Sequence, residues 1–264
     1  MFRLLKRFCA YFIDMMVVLI IVQTITSIPF LNKDLDKYNN IYNDYLESTS
    51  EYTSFRLDII DKYEDKKLDE DEYEKLVKDN ETYKVLVDKY YKDDKLTSKN
   101  YDKLLKELDK DYNVDYKKIY YKLDKYSICY NVSYLVVSLL YFVGFNVFTK
   151  GATLGKKLFR LRIVNNKNNN ENVSVFSYLL RAVMLYQPIY YLARLICISF
   201  LSSSNYYDVV SVIYSIHSYL EFAILTFMIV RLDGRGLHDL LCGTRVAVFD
   251  RQGNEIEVIK KPII

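Results

Sequence analysis

Arg231–Val248 reads RLDGRGLHDLLCGTRVAV and follows directly on a run of apolar residues. Gly, Arg, His and Asp crowded together resemble an active-site loop. The same mix also suits the wet end of a membrane helix, where glycines let the chain leave the helix and arginines meet headgroups. Catalysis would need a nucleophile beside a base, and no Ser or Cys motif of that kind surrounds His238 and Asp239. Cys242 is near in sequence, but no oxyanion donor accompanies it. The stretch is therefore expected to dock back on the first helix and bring Asp239 near Arg7, and the chain is expected not to be an enzyme.

The apolar run before Arg231 is one of four that approach the length of about 20 residues a membrane helix needs. They are Ala10–Phe30, Ile128–Phe148, Leu179–Leu201 and Tyr206–Val230. The third contains Arg181, Pro188 and Arg194, and the fourth Asp208, His217 and Glu221, so these two are read either as full spans or as a re-entrant or amphipathic pair. Arg3, Lys6 and Arg7 before the first run also fit the basic start of a signal peptide, but no small-x-small cleavage site follows, and the run is read as an uncleaved helix.

Charge is segregated along the chain. Residues 31–127 hold 20 Lys+Arg against 25 Asp+Glu, net −5, and the remainder holds 17 against 9, net +8. The excess positive charge lies beside apolar runs, which argues against a nucleic-acid partner and for the lipid bilayer. Basic clusters flank the first run (Arg3, Lys6, Arg7), follow the second (Lys150, Lys156, Lys157, Arg160, Arg162) and follow the fourth (Arg231, Arg235, Arg245). With four crossings all three fall on one side, which the positive-inside tendency makes cytoplasmic. Both termini are then cytoplasmic and residues 31–127 extracytoplasmic. The four cysteines, Cys9, Cys129, Cys197 and Cys242, form no C-x-x-C pair and are read as packing residues.

Residues 31–127 have neither Pro nor Gly, and Tyr and Leu recur at three- and four-residue spacing (Tyr73, Leu76, Val77, then Tyr83, Leu86, Val87, Tyr90). KLDEDEYEKLVK from Lys67 echoes KLTSKNYDKLLK from Lys95, with Asp69 or Thr97 as helix cap. Two to four antiparallel helices with a tyrosine-lined, coiled-coil-like seam are expected. They serve either as a partner-binding ectodomain or as a solvated spacer.

An ionisable group inside a bilayer is costly and so marks a candidate site. Asp14 is the clearest. It is expected to lie among Arg7, Arg181, Arg231 and Arg235, as an ion pair that orders helices or as an ion-binding group. His217 and Glu221, four residues apart on one helix face, suit proton relay or a weak cation site; metal catalysis would require a third ligand. No cofactor or metal centre is expected. GATLGKKLFRLRIV from Gly151 contains a Gly-x-x-x-Gly-Lys string that is one residue too short for a phosphate-binding P-loop. Leu154, Leu158 and Leu161 with Lys156, Lys157 and Arg160 predict an amphipathic segment on the inner membrane surface. RLRIV and GTRVAVFD predict short strands that pair as a small cytoplasmic sheet, and RQGN a hairpin turn before EIEVI.

RFCAYFID, with Arg7 and Asp14, resembles the opening of the RDD family of bacterial integral membrane proteins. GATLGKKLFRLRIV is similar to that family's Gly-x-Thr-x-Gly-Lys segment through Gly151, Thr153, Gly155 and Lys156. LLRAV resembles its helix-start arginine through Arg181. RGLHDLLCGTRV resembles its closing Gly-Leu-His-Asp-x-x-x-Gly-Thr-x-Val through Gly236, His238, Asp239, Gly243 and Thr244. The resemblance covers residues 1–30 and roughly 128–250, and an insert as long as 31–127 departs from it. It implies a polytopic helical protein of the bacterial plasma membrane, and through a few members it implies sodium–proton exchange.

The expected architecture is all-α: four transmembrane helices, a helical extracytoplasmic insert between the first two, and small cytoplasmic β elements. The segments are 1–30, 31–127, 128–250 and a cytoplasmic tail 251–264. Two function classes stay open. One is a membrane scaffold or sensor whose insert binds a protein partner. The other is Na+/H+ or other small-ion transport on Asp14, Glu221 and Asp239, which with so few spans would call for a homo-oligomer.

Overall fold

The computed structural model describes residues 2–64, 70–79, 81–92, 96–167, 172–231 and 233–256. They form two compact units. The first comprises residues 1–35, 127–201 and 208–264, and the second residues 36–126 and 202–207.

The first unit begins with α1 (Phe2–Thr26). Ala10, Asp14, Val18, Val22 and Thr26 are all buried on it. Every fourth residue thus falls on one stripe, as a 3.6-residue period requires, and Asp14 sits inside an otherwise apolar seam. The stripe packs on α6 (Ile128–Leu139). A π-helical turn, Leu140–Phe145, follows and leads into α7 (Asn146–Phe148). A π turn winds more loosely than an α turn and rotates the following face. Here both Tyr141 and Phe142 are turned inward, although they are adjacent in sequence.

A tight turn at Gly151 (φ +93°) leads to α8 (Leu154–Leu158) and β1 (Leu161–Asn165). β1 pairs antiparallel with β2 (Thr244–Val248), Leu161 opposite Val248 and Ile163 opposite Val246. Two expected strands therefore do pair. The turn after β2 also forms, with Asp250 Oδ1 accepting from the amides of Gln252 and Asn254, both at 2.8 Å. The expected EIEVI strand reaches a single bridge, Phe249 to Glu255, before leaving the described residues.

The third apolar run is not one straight helix. α9 (Val175–Leu185) and α10 (Pro188–Phe200) meet at a bend of 69°. Pro188 has no amide to donate, and Gln187 adopts the left-handed conformation, φ 57°. A break of this kind frees backbone carbonyls, which in hydrocarbon need partners. Tyr11 Oη donates to Leu185 O at 3.4 Å and Tyr134 Oη to Tyr186 O at 3.3 Å. Tyr134→Phe leaves Tyr186 O bare and is expected to lower stability by about 1 kcal/mol, read as a lower melting temperature in detergent.

α11 (Ser203–Val230) follows, then α12 (Leu237–Leu241). Within the first unit α11 buries Val210, His217, Ile224 and Met228, and Val212, Ile216, Tyr219, Phe222 and Ile229 are exposed. Such a helix suits an apolar solvent. Among the described residues, α1, the α6–α7 stretch and α11 are each long and apolar enough to cross a membrane, and the bent α9–α10 pair adds up to one more span. The protein is a multi-pass membrane protein, mostly helical, with one two-stranded sheet among the described residues.

The second unit contains α2 (Leu35–Glu64), α3 (Glu70–Asp79), a 3-10 turn (Glu81–Tyr83), α4 (Lys84–Tyr90) and α5 (Ser98–Tyr126). Its core is Phe55, Ile59, Leu76, Val87, Leu104 and Leu108. Stacked rings line it: Tyr52 on Tyr112, Phe55 on Tyr83 and Tyr73 on Tyr91, with centroids 3.9, 4.3 and 4.2 Å apart. The tyrosine-lined seam is therefore present, and stacked rings lend no support to a coiled coil. Thr97 caps α5, its Oγ1 accepting from Asn100 N at 3.3 Å. The matching cap expected at Asp69, with the start of its repeat from Lys67, lies outside the described residues.

Candidate functional site

Asp14 is fully buried in the α1 seam. Its Oδ1 accepts from Tyr141 Oη and from the Gly155 amide, both at 2.8 Å. Its Oδ2 accepts from Thr153 Oγ1 at 2.5 Å, and Lys156 Nζ stands 3.7 Å away. The π turn carries the Tyr141 ring to this point, and the Gly-x-x-x-Gly-Lys string supplies the other three partners. The string cradles an anion, as its composition suggests, but the anion is a side chain of the same protein. Gly155 is required by the close approach: a Cβ there would collide with the carbonyl oxygen of Ala10.

Two expectations are corrected here. The arginines expected around Asp14 are engaged elsewhere. Arg231 and Arg235 both pair with Asp233, at 2.9 and 2.7 Å, and hold its carboxyl below the usual range, Arg231 foremost. The expected amphipathic face of residues 154–161 is also inverted. Lys156 is 8% exposed whereas Leu158 is 68% exposed. A buried carboxylate draws the cation inward, and leucines can face outward where the solvent is hydrocarbon.

Asp239 is the second buried carboxylate and the true meeting point of the arginines. Arg7 reaches Oδ2 at 2.7 Å, and Arg181 pairs with Oδ1. Arg181 also donates to Thr244 Oγ1 at 2.7 Å, and Arg7 to Gly234 O. The Gly236 amide at the start of α12 donates to Oδ2 at 3.2 Å, which meets one of the free amides of a helix start. Burial alone would raise the Asp239 pKa, but Arg181 and then Arg7 reverse this and hold it below the usual carboxylate range. The expected docking of Asp239 beside Arg7 is what the chain does.

His238 is buried next to this pair, with Nε2 3.5 Å from Asp239 Oδ2 and Nδ1 without a hydrogen-bond partner. Burial first, and then Arg181, push its pKa from 6.5 down to about 3. The ring is neutral at pH 7. An unfolded chain protonates this residue near pH 6.5, while the fold resists until near pH 3. Stability that is intact above pH 6.5 is therefore lost as the pH falls from 6.5 towards 3. His238→Gln is expected to flatten that limb of a plot of melting temperature against pH.

A cavity of about 210 Å³ lies beside both carboxylate clusters. α1, α9 and α11 form its walls, Lys156 and His238 project into it, and Glu221 lines it on α11. His217 and Glu221 do share a face, with His217 Nδ1 3.7 Å from Glu221 Oε1 and neither ring nitrogen hydrogen-bonded. Glu221 accepts from Gln187 Nε2 at 3.0 Å, so the left-handed residue at the helix break anchors it. Among the described residues, no three His, Cys, Asp or Glu side chains converge as a metal site. Tyr141 and Gln187 carry no motif that singles them out in the sequence. Asp233 could be suspected from its place between two arginines.

Residues 121–243 match the model of the RDD family. The chain belongs to the RDD family. No curated protein and no solved structure matches it. The RDD match takes in Gly151, Thr153, Gly155, Lys156, Arg181, Gly236, His238, Asp239 and Gly243, and stops just short of Thr244. α1 lies outside it, yet Arg7 and Asp14 complete the two clusters built on the matched segment. Gly243, at φ +62°, makes the left-handed turn between α12 and β2 that sets Thr244 on Arg181.

Proposed function

We propose that this RDD protein is a membrane scaffold or sensor and not an enzyme. Its RDD part is a frame whose helix order is fixed by two buried charge clusters, and residues 31–127 form an ectodomain that binds a protein partner. The observation that carries this reading is the saturation of both aspartates. Asp14 accepts from three donors with an ammonium beside it, and Asp239 from two guanidinium groups and an amide. A cation could bind either only by displacing charge-assisted bonds that hold helices together.

The topology is that of a bacterial plasma-membrane protein with both termini cytoplasmic. The β1–β2 pairing and the Arg7–Asp239 pair support it, because they gather the start of α1, the end of α7, the start of α9 and the end of α11 at one end. A chain that enters α9 there and re-enters that end through α11 has crossed on α9–α10, which makes four crossings. The gathered end carries Arg7, Lys150, Lys157, Arg160, Arg162 and Arg245, as the inner face should. The acidic insert is then outside.

One observation favours ion exchange: His217 and Glu221 beside the cavity keep hydrogen-bonding capacity in reserve. Proteoliposomes loaded with a pH-sensitive dye and given a sodium gradient separate the two. The scaffold reading expects no sodium-driven pH change from wild type, Asp14→Asn or a chain lacking residues 36–126. A wild-type signal that disappears in Glu221→Gln overturns it.

A further inference from the structure

The charge at the cavity does not balance. Arg7, Lys156 and Arg181 bring three positive charges to the two clusters, and Asp14 and Asp239 bring two negative ones, leaving +1 with His238 neutral. Both arginines are committed to Asp239. Lys156 is the remainder. Its Nζ donates to Thr153 Oγ1 at 3.0 Å but stands 3.7 Å from Asp14, too far for a good hydrogen bond. A buried ammonium with an unspent N–H calls for an anion. Burial depresses its pKa to about 8, as expected for incomplete compensation.

The rest of the wall is apolar. Phe8, Leu185, Ile224, Leu225 and Met228 line it, and Leu225 and Glu221, both partly exposed, mark an opening along α11. In a membrane-spanning chain that opening faces lipid. Glu221 stands seven residues from Met228, about 10 Å along α11, and is engaged by Gln187, so it lies away from the basic end.

We propose that this cavity holds a single-chain anionic amphiphile of the fatty-acid kind, its alkyl chain against Leu185, Ile224, Leu225 and Met228 and its carboxylate on the Lys156 ammonium. A volume of about 210 Å³ suits one chain and not the two of a phospholipid. The excess charge of +1 matches a monoanion. This site is independent of the scaffold reading, since it uses neither aspartate as a carrier and asks nothing of the insert.

The test is equilibrium binding to the purified full chain in a neutral detergent. The probes are the fluorescent polyene fatty acid cis-parinaric acid and its uncharged methyl ester. The acid is expected to bind at least about tenfold more tightly than the ester. Leu225→Trp, which fills the cavity, is expected to weaken the acid by a similar factor. Lys156→Gln is expected to bring the acid down to the level of the ester while leaving ester binding unchanged, a readout that a misfolded variant would not give. If that variant loses ester binding as well, the acid–ester comparison in wild type and Leu225→Trp still decides. Equal affinity for acid and ester in wild type overturns the proposal. So does an unchanged Leu225→Trp, or displacement of the probe by phosphatidylglycerol more effectively than by oleate.

Discussion

Asp239→Asn is expected to be the most damaging isosteric change in this protein, with a loss of about 3–5 kcal/mol. The substitution keeps the shape of the side chain and removes its charge. Arg7 and Arg181, nearly inaccessible at the contact, are then buried together with no anion between them. Breaking one partner of a buried pair costs far more than the pair contributes, because the desolvated charge stays behind. Denaturant unfolding in detergent micelles measures the effect. The double variant Arg181→Met/Asp239→Asn leaves one stranded cation instead of two, so it is expected to regain at least about 1 kcal/mol relative to the single variant. A double variant less stable than Asp239→Asn alone would show that the arginines are not what Asp239 serves.

Gly155→Ala is the second. One methyl group is added, and it points at the carbonyl oxygen of Ala10 and towards Asp14 Oδ1. The obstacle is helix backbone, which cannot swing aside as a side-chain tip can. α8 must back away from α1, and the Gly155 amide then leaves the Asp14 carboxylate. Overpacking of about 1–3 kcal/mol adds to the loss of a hydrogen bond to a charged acceptor, about 1.5–3 kcal/mol. The same unfolding measurement, with limited proteolysis after Lys156 and Lys157 as a local probe, checks it. Gly144→Ala is the control: it meets nothing within 4 Å and is expected to be near neutral.

The spans could be read from the sequence because a helix that must satisfy hydrocarbon over its whole length writes that need into some twenty successive residues. The meeting of Arg7 and Asp239 was legible too, through the closing glycine-rich motif. Asp14 was recognised as needing partners, but not which ones. Three come from a turn far along the chain, and the fourth depends on a π turn that no 3.6-residue period reveals. Lys156 was assigned to the lipid surface because sequence periodicity shows which residues share a face but not which face turns inward. The break at Gln187 was signalled by Pro188, but its angle and the anchoring of Glu221 depend on tertiary contacts.

The two hydroxyl groups that meet the carbonyls of Leu185 and Tyr186 belong to helices made earlier in synthesis. A fractured helix released alone into the lipid interior would carry bare acceptors there. In this chain the donors are already installed when the fractured segment emerges. Its entry into the bilayer is therefore conditional on its predecessors, and biogenesis is expected to proceed in strict order from the amino end.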